Sequence, residues 1–566
     1  MIENKKTAHI VEFRLKASSS DIKAFNVRCD IARKLYNSTL GELLKRDQAM
    51  RSDPDWFALS EKNKAIKAKL LNVTTPQEKD RLDTEKKELS KQFSALSQKY
   101  LVREYDLNLF SKDNKNACYF KEHLDASTIQ KVDARVFDAY ARWRFSGFGK
   151  PRFKSRFKSF ESLEGKSNRQ GIRIKLGDPH YPDLRGKTRI EWNGLILPLD
   201  LSRPDKHGYQ EAALNRIGQN KVKYVRLIQR LYNGSARLYA QIVMEGAPFL
   251  KEKHRIAYEQ GKNERNALDI GVSTLASYSK HAAKLYLGMD EIYQLYKKLK
   301  QYQKKASRSL RLANKDNYTL VHVYAGRVGN IFKEIKAQNP KLSTEQFAQK
   351  TQQRCQELGI KYQYKQAWQR KKGTRDLNRP KSYLKAIAVV KELHRKIAAK
   401  RKYLHYKYAN EIITNGNIIL TEKVGIKGWQ RLFGKSILAF APAQLISIIK
   451  RKVENTGGRF IEINTRKAKL SQYDHILQMD IKKKLSDRVM MVGGEYEIQR
   501  DLYSAFLAYC INKDADKVDQ TLADKNWSSA RPRLEMAFNQ VKVHAKRGGF
   551  IPSSAGVKTS CRASAI

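Results

Sequence analysis

The chain has 566 residues, with 112 Lys and Arg against 57 Asp and Glu, a formal net charge of +55. That length implies roughly two to four domains with ample core, and that charge implies a polyanionic partner, nucleic acid before all others. No run of about 18 apolar residues suggests a membrane span, and the cysteines at 29, 118, 355, 510 and 561 form no C-x-x-C pair, which leaves a disulfide framework or a cysteine zinc site without support.

The polar start MIENKKTAHIVEF has no signal-peptide pattern, so a reducing cytoplasm is expected. Residues 9–16, HIVEFRLK, put Val11, Phe13 and Leu15 on one face of a half-buried strand. SSSD then starts a helix, with Ser20 or Asp21 as cap. Ile22, Phe25, Cys29, Ala32, Tyr36, Leu40 and Leu43 follow at spacings of three and four and predict a long amphipathic helix. Residues 50–105 are rich in Lys and Glu and mostly helical, broken near residues 74–76, and another helix runs through 126–145.

At Arg142 the character changes. WRFSGFGKPRFKSRFKS carries seven basic residues between Arg142 and Lys158 and no acid, interleaved with Trp143, Phe145, Phe148, Phe153 and Phe157. Trp143, Arg152, Lys154, Arg156 and Lys158 are candidate nucleic-acid contacts: the cations neutralise phosphates, and the aromatics either stack on splayed bases or pack on the sheet beside them. Short strands follow at 171–176 and 188–199. The alternating runs VKYVRLIQRLY and SARLYAQIVME, separated by Asn233-Gly234, predict a hairpin. Residues 150–250 with the N-terminal strand therefore predict a small β-barrel.

From 264 the pattern turns α/β. NALDIGVSTLA at 266–276 is an apolar strand carrying Asp269, with Gly271 permitting a tight turn. A helix near 289–312 includes the run Lys297–Lys315, with eight Lys and Arg and no acid; Lys304, Lys305, Arg308 and Arg311 are candidate nucleic-acid contacts on it. A polar insertion covers 315–378, and a second long helix covers 381–413. IILTEKV then ends an apolar strand at Glu422, a helix is expected at 442–455 with the strand RFIEI after it, residues 466–499 look irregular, and Asp501 opens a further helix in QRDLYSAFLA.

An unpaired carboxylate at a strand centre is a poor structural choice. Alone, each of Asp269, Glu422 and Asp501 reads as an ordinary surface or salt-bridged acid. Together, two on neighbouring strands and one on an adjoining helix, they suit hard cations. Two Mg²⁺ ions about 4 Å apart, with Mn²⁺ as a substitute, activate water and stabilise the leaving oxygen in phosphodiester hydrolysis.

The ordered series NALDIGVSTLA, SRSLRLAN, RKYLHYKYANEI, IILTEKVGIKGWQRLFGKS, APAQLISIIKRKVENTGG, TRKAKLSQ, KKKLSDR and QRDLYSAFLA, with CDIARKLYNSTLGE and GKPRFKSR before it, resembles the transposon-encoded TnpB nucleases and the compact type V CRISPR effector nucleases. The resemblance covers about 9–512. It implies an α/β plus α+β multidomain protein with an RNase H-like (RuvC) core, an OB-like wedge β-barrel and a helical recognition domain. In that organisation residues 1–18 give the first wedge strand, 19–145 the recognition domain, 146–262 the wedge, 263–465 RuvC parts I and II with a helical insertion at about 315–378, 500–525 part III and 526–566 a basic, disordered tail. It further implies an RNA-guided DNA endonuclease of the prokaryotic cytoplasm, associated with the nucleoid, with a guide RNA and double-stranded target DNA as partners and no membrane. By motif, Asp269, Glu422 and Asp501 are then the catalytic metal ligands.

The family's two zinc-binding cysteine pairs are absent between TRKAKLSQ and QRDLYSAF, so 466–499 is a degenerate target-nucleic-acid-binding segment with no zinc expected. That departure motivates an alternative: an RNA-guided DNA-binding silencer with weak or no cleavage. A DNA transposase of the RNase H-like class is a lesser alternative, since such enzymes order their acids D, D, E and the order here is D, E, D.

Overall fold

A computed structural model describes residues 8–73, 75–155, 159–178, 180, 186–205, 208–287, 290–340, 342–374, 377–482, 484 and 486–557. The chain forms two compact units, Met1–Arg255 and Ile256–Ile566. The division falls inside the helix Glu252–Gln260, just ahead of the expected boundary at 262/263.

In the first unit the helix Ser19–Arg51 begins at a capping box. Ser18 Oγ accepts the Asp21 N–H at 3.1 Å, and the Asp21 carboxylate accepts the Ser18 N–H at 2.8 Å. The cap is thus Ser18, two residues ahead of the expected Ser20 and three ahead of the expected Asp21. The periodic face of this helix is buried at Phe25, Cys29, Ala32, Leu35, Tyr36, Leu40 and Leu43. Helices Pro54–Asn72 and Pro76–Lys99 bring few residues to the core, the latter Leu82, Leu89 and Leu96, one every second turn. Helix Ala126–Phe145 buries Ile129, Val132, Val136 and Tyr140.

Four strands pair antiparallel in the order Ala8–Arg14, Ser235–Glu245, Val222–Tyr232, Ser162–Glu164. The turn between the long strands sits on Asn233 (φ 49°) and Gly234 (φ 83°), both left-handed as a two-residue hairpin loop demands. A second sheet joins Arg173–Lys175, Arg189–Trp192 and Leu195–Pro198. The stretch 188–199, expected as a strand, is therefore a hairpin about Asn193-Gly194. The two sheets meet where Leu15 pairs with Leu199, so the strands expected as one barrel form two bridged sheets. The helix Tyr209–Gln219 between them has no counterpart in the sequence-based expectation.

The second unit is built on a five-stranded sheet ordered Ala283–Tyr286, Leu275–Ser279, Arg265–Ile270, Ile418–Glu422, Arg459–Ile463. The first three run antiparallel and the last two lie parallel to Arg265–Ile270 and to each other. Helix Arg500–Tyr509 covers one face and is buried from Asp501 through Ala508. The expected disordered tail is a correction. Helix Gln520–Lys546 runs well beyond 525, burying Ala523, Ala530, Leu534, Ala537, Phe538 and Val541 against the same core, and Ser554 and Ala555 are buried beyond it.

The long helices Asp290–Leu312 and Lys381–Thr414 pack on each other. Between them the insertion has its own small core of Val328, Ile331, Ile335, Phe347 and Cys355. It is not purely helical: beside helices Gly326–Gln338 and Thr344–Glu357 it carries an antiparallel ribbon, Tyr318–Tyr324 with Tyr364–Arg370. Residues 466–499, expected as irregular, hold two short hairpins, Tyr473–Asp474 with Met479–Asp480 and Val489–Val492 with Tyr496–Gln499. Among the described residues no helix is long and apolar enough to cross a membrane.

Candidate active site and nucleic-acid interface

Strand register brings the first two acids together. Ala267 lies beside Leu420, and Thr421 beside Leu268, in the parallel pair. One step further along this ladder sets Glu422 next to Asp269, about 5 Å between neighbouring strands. Side chains alternate across a strand, so Asp269 shares a face with Ala267, and Glu422 with Ile418 and Leu420. Ala267, Ile418 and Leu420 all pack in the core that includes helix Arg500–Tyr509, and Asp501 sits in the first turn of that helix. The apolar residues around the acids thus fix the carboxylates' position.

Neighbouring residues explain the local shape. Gly271 N–H donates to Thr274 O at 2.9 Å, and a Cβ at Gly271 would lie 2.8 Å from Thr274 Oγ1, so the turn after Asp269 needs glycine. The Thr274 hydroxyl then reaches Asp501 Oδ2 at 3.4 Å. On the other face, buried Asn266 donates to Ile412 O at 2.8 Å and accepts from Ser277 Oγ at 2.9 Å, tying the strand to the long helix and to its neighbour.

The electrostatics follow from this packing. Burial, then Asp501, then Glu422 push the Asp269 carboxyl well above the usual carboxylate range, against the pull of Arg500 and Arg488. Burial pushes Glu422 up to about 7. Asp501 is also raised by burial, with Arg500, Arg488, Gln499 and Thr274 opposing; Arg500 Nε lies 3.7 Å from its Oδ1. Arg488 and Arg500 were not singled out in the sequence; Arg500 directly precedes Asp501, whereas nothing in the spacing of Arg488 points to the acids. Three oxygen-bearing acids in mutual repulsion suit a hard divalent cation in donor type. Among the described residues no three His, Cys, Asp or Glu side chains stand close enough to enclose an ion as they lie. The acids are neighbours rather than a finished cage.

The candidate nucleic-acid contacts divide. In the first unit Phe145, Phe148 and Phe153 are exposed, as is Arg152. Trp143 is half-buried beneath Arg144 and Lys150, whose charged groups lie 3.5 and 5.6 Å from its ring. Lys154 is drawn inward. Its main chain exchanges two hydrogen bonds with Asn37, its ammonium lies over Tyr36 and Phe160, and burial lowers its pKa. Arg156 and Lys158 lie outside the described residues. In the second unit Lys304, Lys305 and Arg308 are exposed along one helix, and Arg311 lies 4.9 Å over the ring of Trp368. Sequence reasoning missed Trp368, although it stands in the acid-free basic run KYQYKQAWQRKK at 361–372.

No protein-family model and no curated protein matches the chain. Among solved structures it is similar to a Cas12f1–sgRNA–target DNA complex, with 11% identity, a TM-score of 0.37 and coverage of 88% of this chain and 98% of that one. It is also similar to a CRISPR–Cas12f ternary complex, with 12% identity, a TM-score of 0.24 and coverage of 88% and 86%. At TM-scores this low, neither likeness fixes fold or function.

Proposed function

We propose that this chain is an RNA-guided DNA endonuclease of the TnpB-like and compact type V kind, cutting at a single RuvC-type centre in the five-stranded sheet. The observation that supports it most is the grouping of Asp269, Glu422 and Asp501 from two strands and a helix, with all three carboxyls raised by burial and Asp269 further by its two acidic neighbours. The order of these acids along the chain is that of the family the sequence resembles.

The three carboxylates would hold Mg²⁺, or Mn²⁺ in its place, and the bound ions supply charge neutralisation at the scissile phosphate and a more acidic attacking water. The chain's own residues do the rest. The start of helix Arg500–Tyr509 favours the ionised form of Asp501 through the helix dipole, and the Thr274 hydroxyl orients that carboxylate. Arg488 and Arg500 flank the acids with positive charge available to phosphate. The exposed cations of Asp290–Leu312 attract the nucleic-acid backbone, a contribution that fades with salt. In this reading the helical region 19–145 holds a guide–target heteroduplex by its backbone, the bridged sheets read a short motif beside the target, and 466–499 helps load strands.

The test is to express the chain with its flanking genomic DNA, sequence the RNA that co-purifies, and assay Mg²⁺-dependent cutting of a plasmid library matched to that RNA. A defined RNA with matched cutting is the expected result; no discrete RNA contradicts the reading. The second reading, guided binding with little cutting, draws on the missing zinc-binding cysteine pairs between TRKAKLSQ and QRDLYSAF. Tight matched binding with no scission in Mg²⁺ or Mn²⁺ would favour it.

A further inference from the structure

The insertion between the two long helices exposes a surface that the cutting chemistry leaves unused. Its ribbon pairs Tyr318 with Arg370, Leu320 with Trp368, His322 with Gln366 and Tyr324 with Tyr364. By strand alternation these residues share one face. At one end Tyr324 packs on Phe332, ring centroids 4.8 Å apart, and so anchors the ribbon to the insertion's core. His322 stacks on Tyr364 at 3.9 Å with the rings 34° apart. Further along, Trp368 stands 49% exposed, beside Leu320 at 46%, while Tyr364 is 44% exposed. Arg311 reaches over the indole from the basic helix. An exposed indole and phenol on a two-stranded ribbon are a poor arrangement for solubility alone.

Charge selects the occupant. Residues 361–372 read KYQYKQAWQRKK, five Lys and Arg with no Asp or Glu. A second copy of the same ribbon would set like charge against like, which disfavours self-association. A duplex backbone would engage the cations and leave the rings idle. Unpaired bases use both: aromatic faces stack on them, cations follow their phosphates, and the Gln366 amide and His322 ring offer hydrogen-bonding groups to base edges between the two exposed rings. Trp368 and Tyr364, four residues apart on one strand, are separated by about 13 Å, so they serve different nucleotides.

From this we infer that the ribbon Tyr318–Tyr324/Tyr364–Arg370 is a stacking platform for an unpaired segment of RNA, with Trp368 and Arg311 as its central pair and Lys371 and Lys372 following the backbone. It rests on the reading above in choosing RNA, the partner carried from assembly onward, over DNA.

The experiment uses the full chain purified with its RNA, with and without matched target DNA, and its mass in solution is measured for each variant. Ultraviolet crosslinking with peptide mapping is run alongside affinity measurements on the re-added RNA for the wild type, Trp368→Ala, Trp368→Phe and Lys371→Ala/Lys372→Ala. The expected result is crosslinks from the 364–368 peptide to unpaired bases. Trp368→Ala should weaken binding about ten-fold, in the range of one lost base stack, with most of the affinity kept by Trp368→Phe. The lysine pair variant should flatten the salt dependence. Bound RNA with unchanged affinity in Trp368→Ala overturns the platform and leaves the proposed function standing. Crosslinks from the ribbon to target DNA alone overturn it, as does a dimer that dissociates on Trp368→Ala. Absence of any bound RNA overturns both readings together.

Discussion

Two regions of the second unit draw carboxylates out of water, Asp474 and Asp501 wholly and Asp269 and Glu422 in part, and they treat them in opposite ways. Asp474, fully buried between the hairpins of 466–499, accepts the Ile476 and Leu477 N–H groups at 3.0 and 3.3 Å on Oδ1 and the Gly493 N–H at 2.9 Å on Oδ2. One side chain thereby ties two turns together with main-chain donors, and His475 beside it packs edge-to-face on Trp527 and hydrogen-bonds Tyr503. Asp269, Glu422 and Asp501 have Arg488, Arg500 and the Thr274 hydroxyl to offset them, and all three carboxyls still stand above their ordinary values. The fold can satisfy a buried acid where the acid serves structure. Where it leaves three short of compensation, the arrangement opposes stability and suits a cation that arrives later.

Substitutions sharpen that contrast, in falling order of effect. Asp269→Ala should reduce matched DNA cutting by about 10³-fold or more, about 4 kcal/mol of transition-state stabilisation, while the co-purified RNA and guided binding persist; cutting at the wild-type rate would remove the acid from the centre. Asp474→Ala should have no such selective effect and should instead destabilise the fold by about 3 kcal/mol, because buried main-chain donors lose their acceptor, as read by urea denaturation. Asp269→Asn should go the other way in the absence of divalent ions, stabilising the chain by about 1 kcal/mol as repulsion is relieved.

The smallest effect is a pH trend. A carboxyl whose folded pKa lies above its unfolded value binds its proton more tightly in the folded chain. Its contribution is full below the unfolded pKa and is lost as pH rises through the folded one. For Glu422 that window runs from its ordinary 4.5 to about 7. Thermal melts in chelator should therefore fall in midpoint across that range, less so in Glu422→Gln.

Much of this was legible where one local signal dominates. Asn233-Gly234 between alternating runs gave the hairpin, and the apolar strands ending in or spanning Asp269 and Glu422 gave the acids their sheet. The same Asn-Gly signal at 193–194 was passed over because its strands are only four residues long. Helix Gln520–Lys546 was hidden by Pro532 and the polar run around it, although Leu534, Ala537, Phe538 and Val541 keep a helical spacing. The order in 466–499 rests on Asp474 bonding to main-chain groups, which leaves no periodic trace in side chains. Two partners of the acids were invisible for a related reason: Arg488 and Thr274 reach Asp501 through tertiary packing, while Arg500 simply adjoins it in the chain.

The most direct test of the contrast is the thermal midpoint of the purified chain titrated with Mg²⁺, for the wild type, Asp269→Asn and Asp474→Asn. The account predicts that Mg²⁺ raises the wild-type midpoint, that Asp269→Asn begins higher and loses most of the Mg²⁺ response, and that Asp474→Asn begins lower and keeps it. A wild-type midpoint indifferent to Mg²⁺, or an equal rise in Asp269→Asn, would contradict the claim that these three acids are held apart from compensation in order to receive a cation.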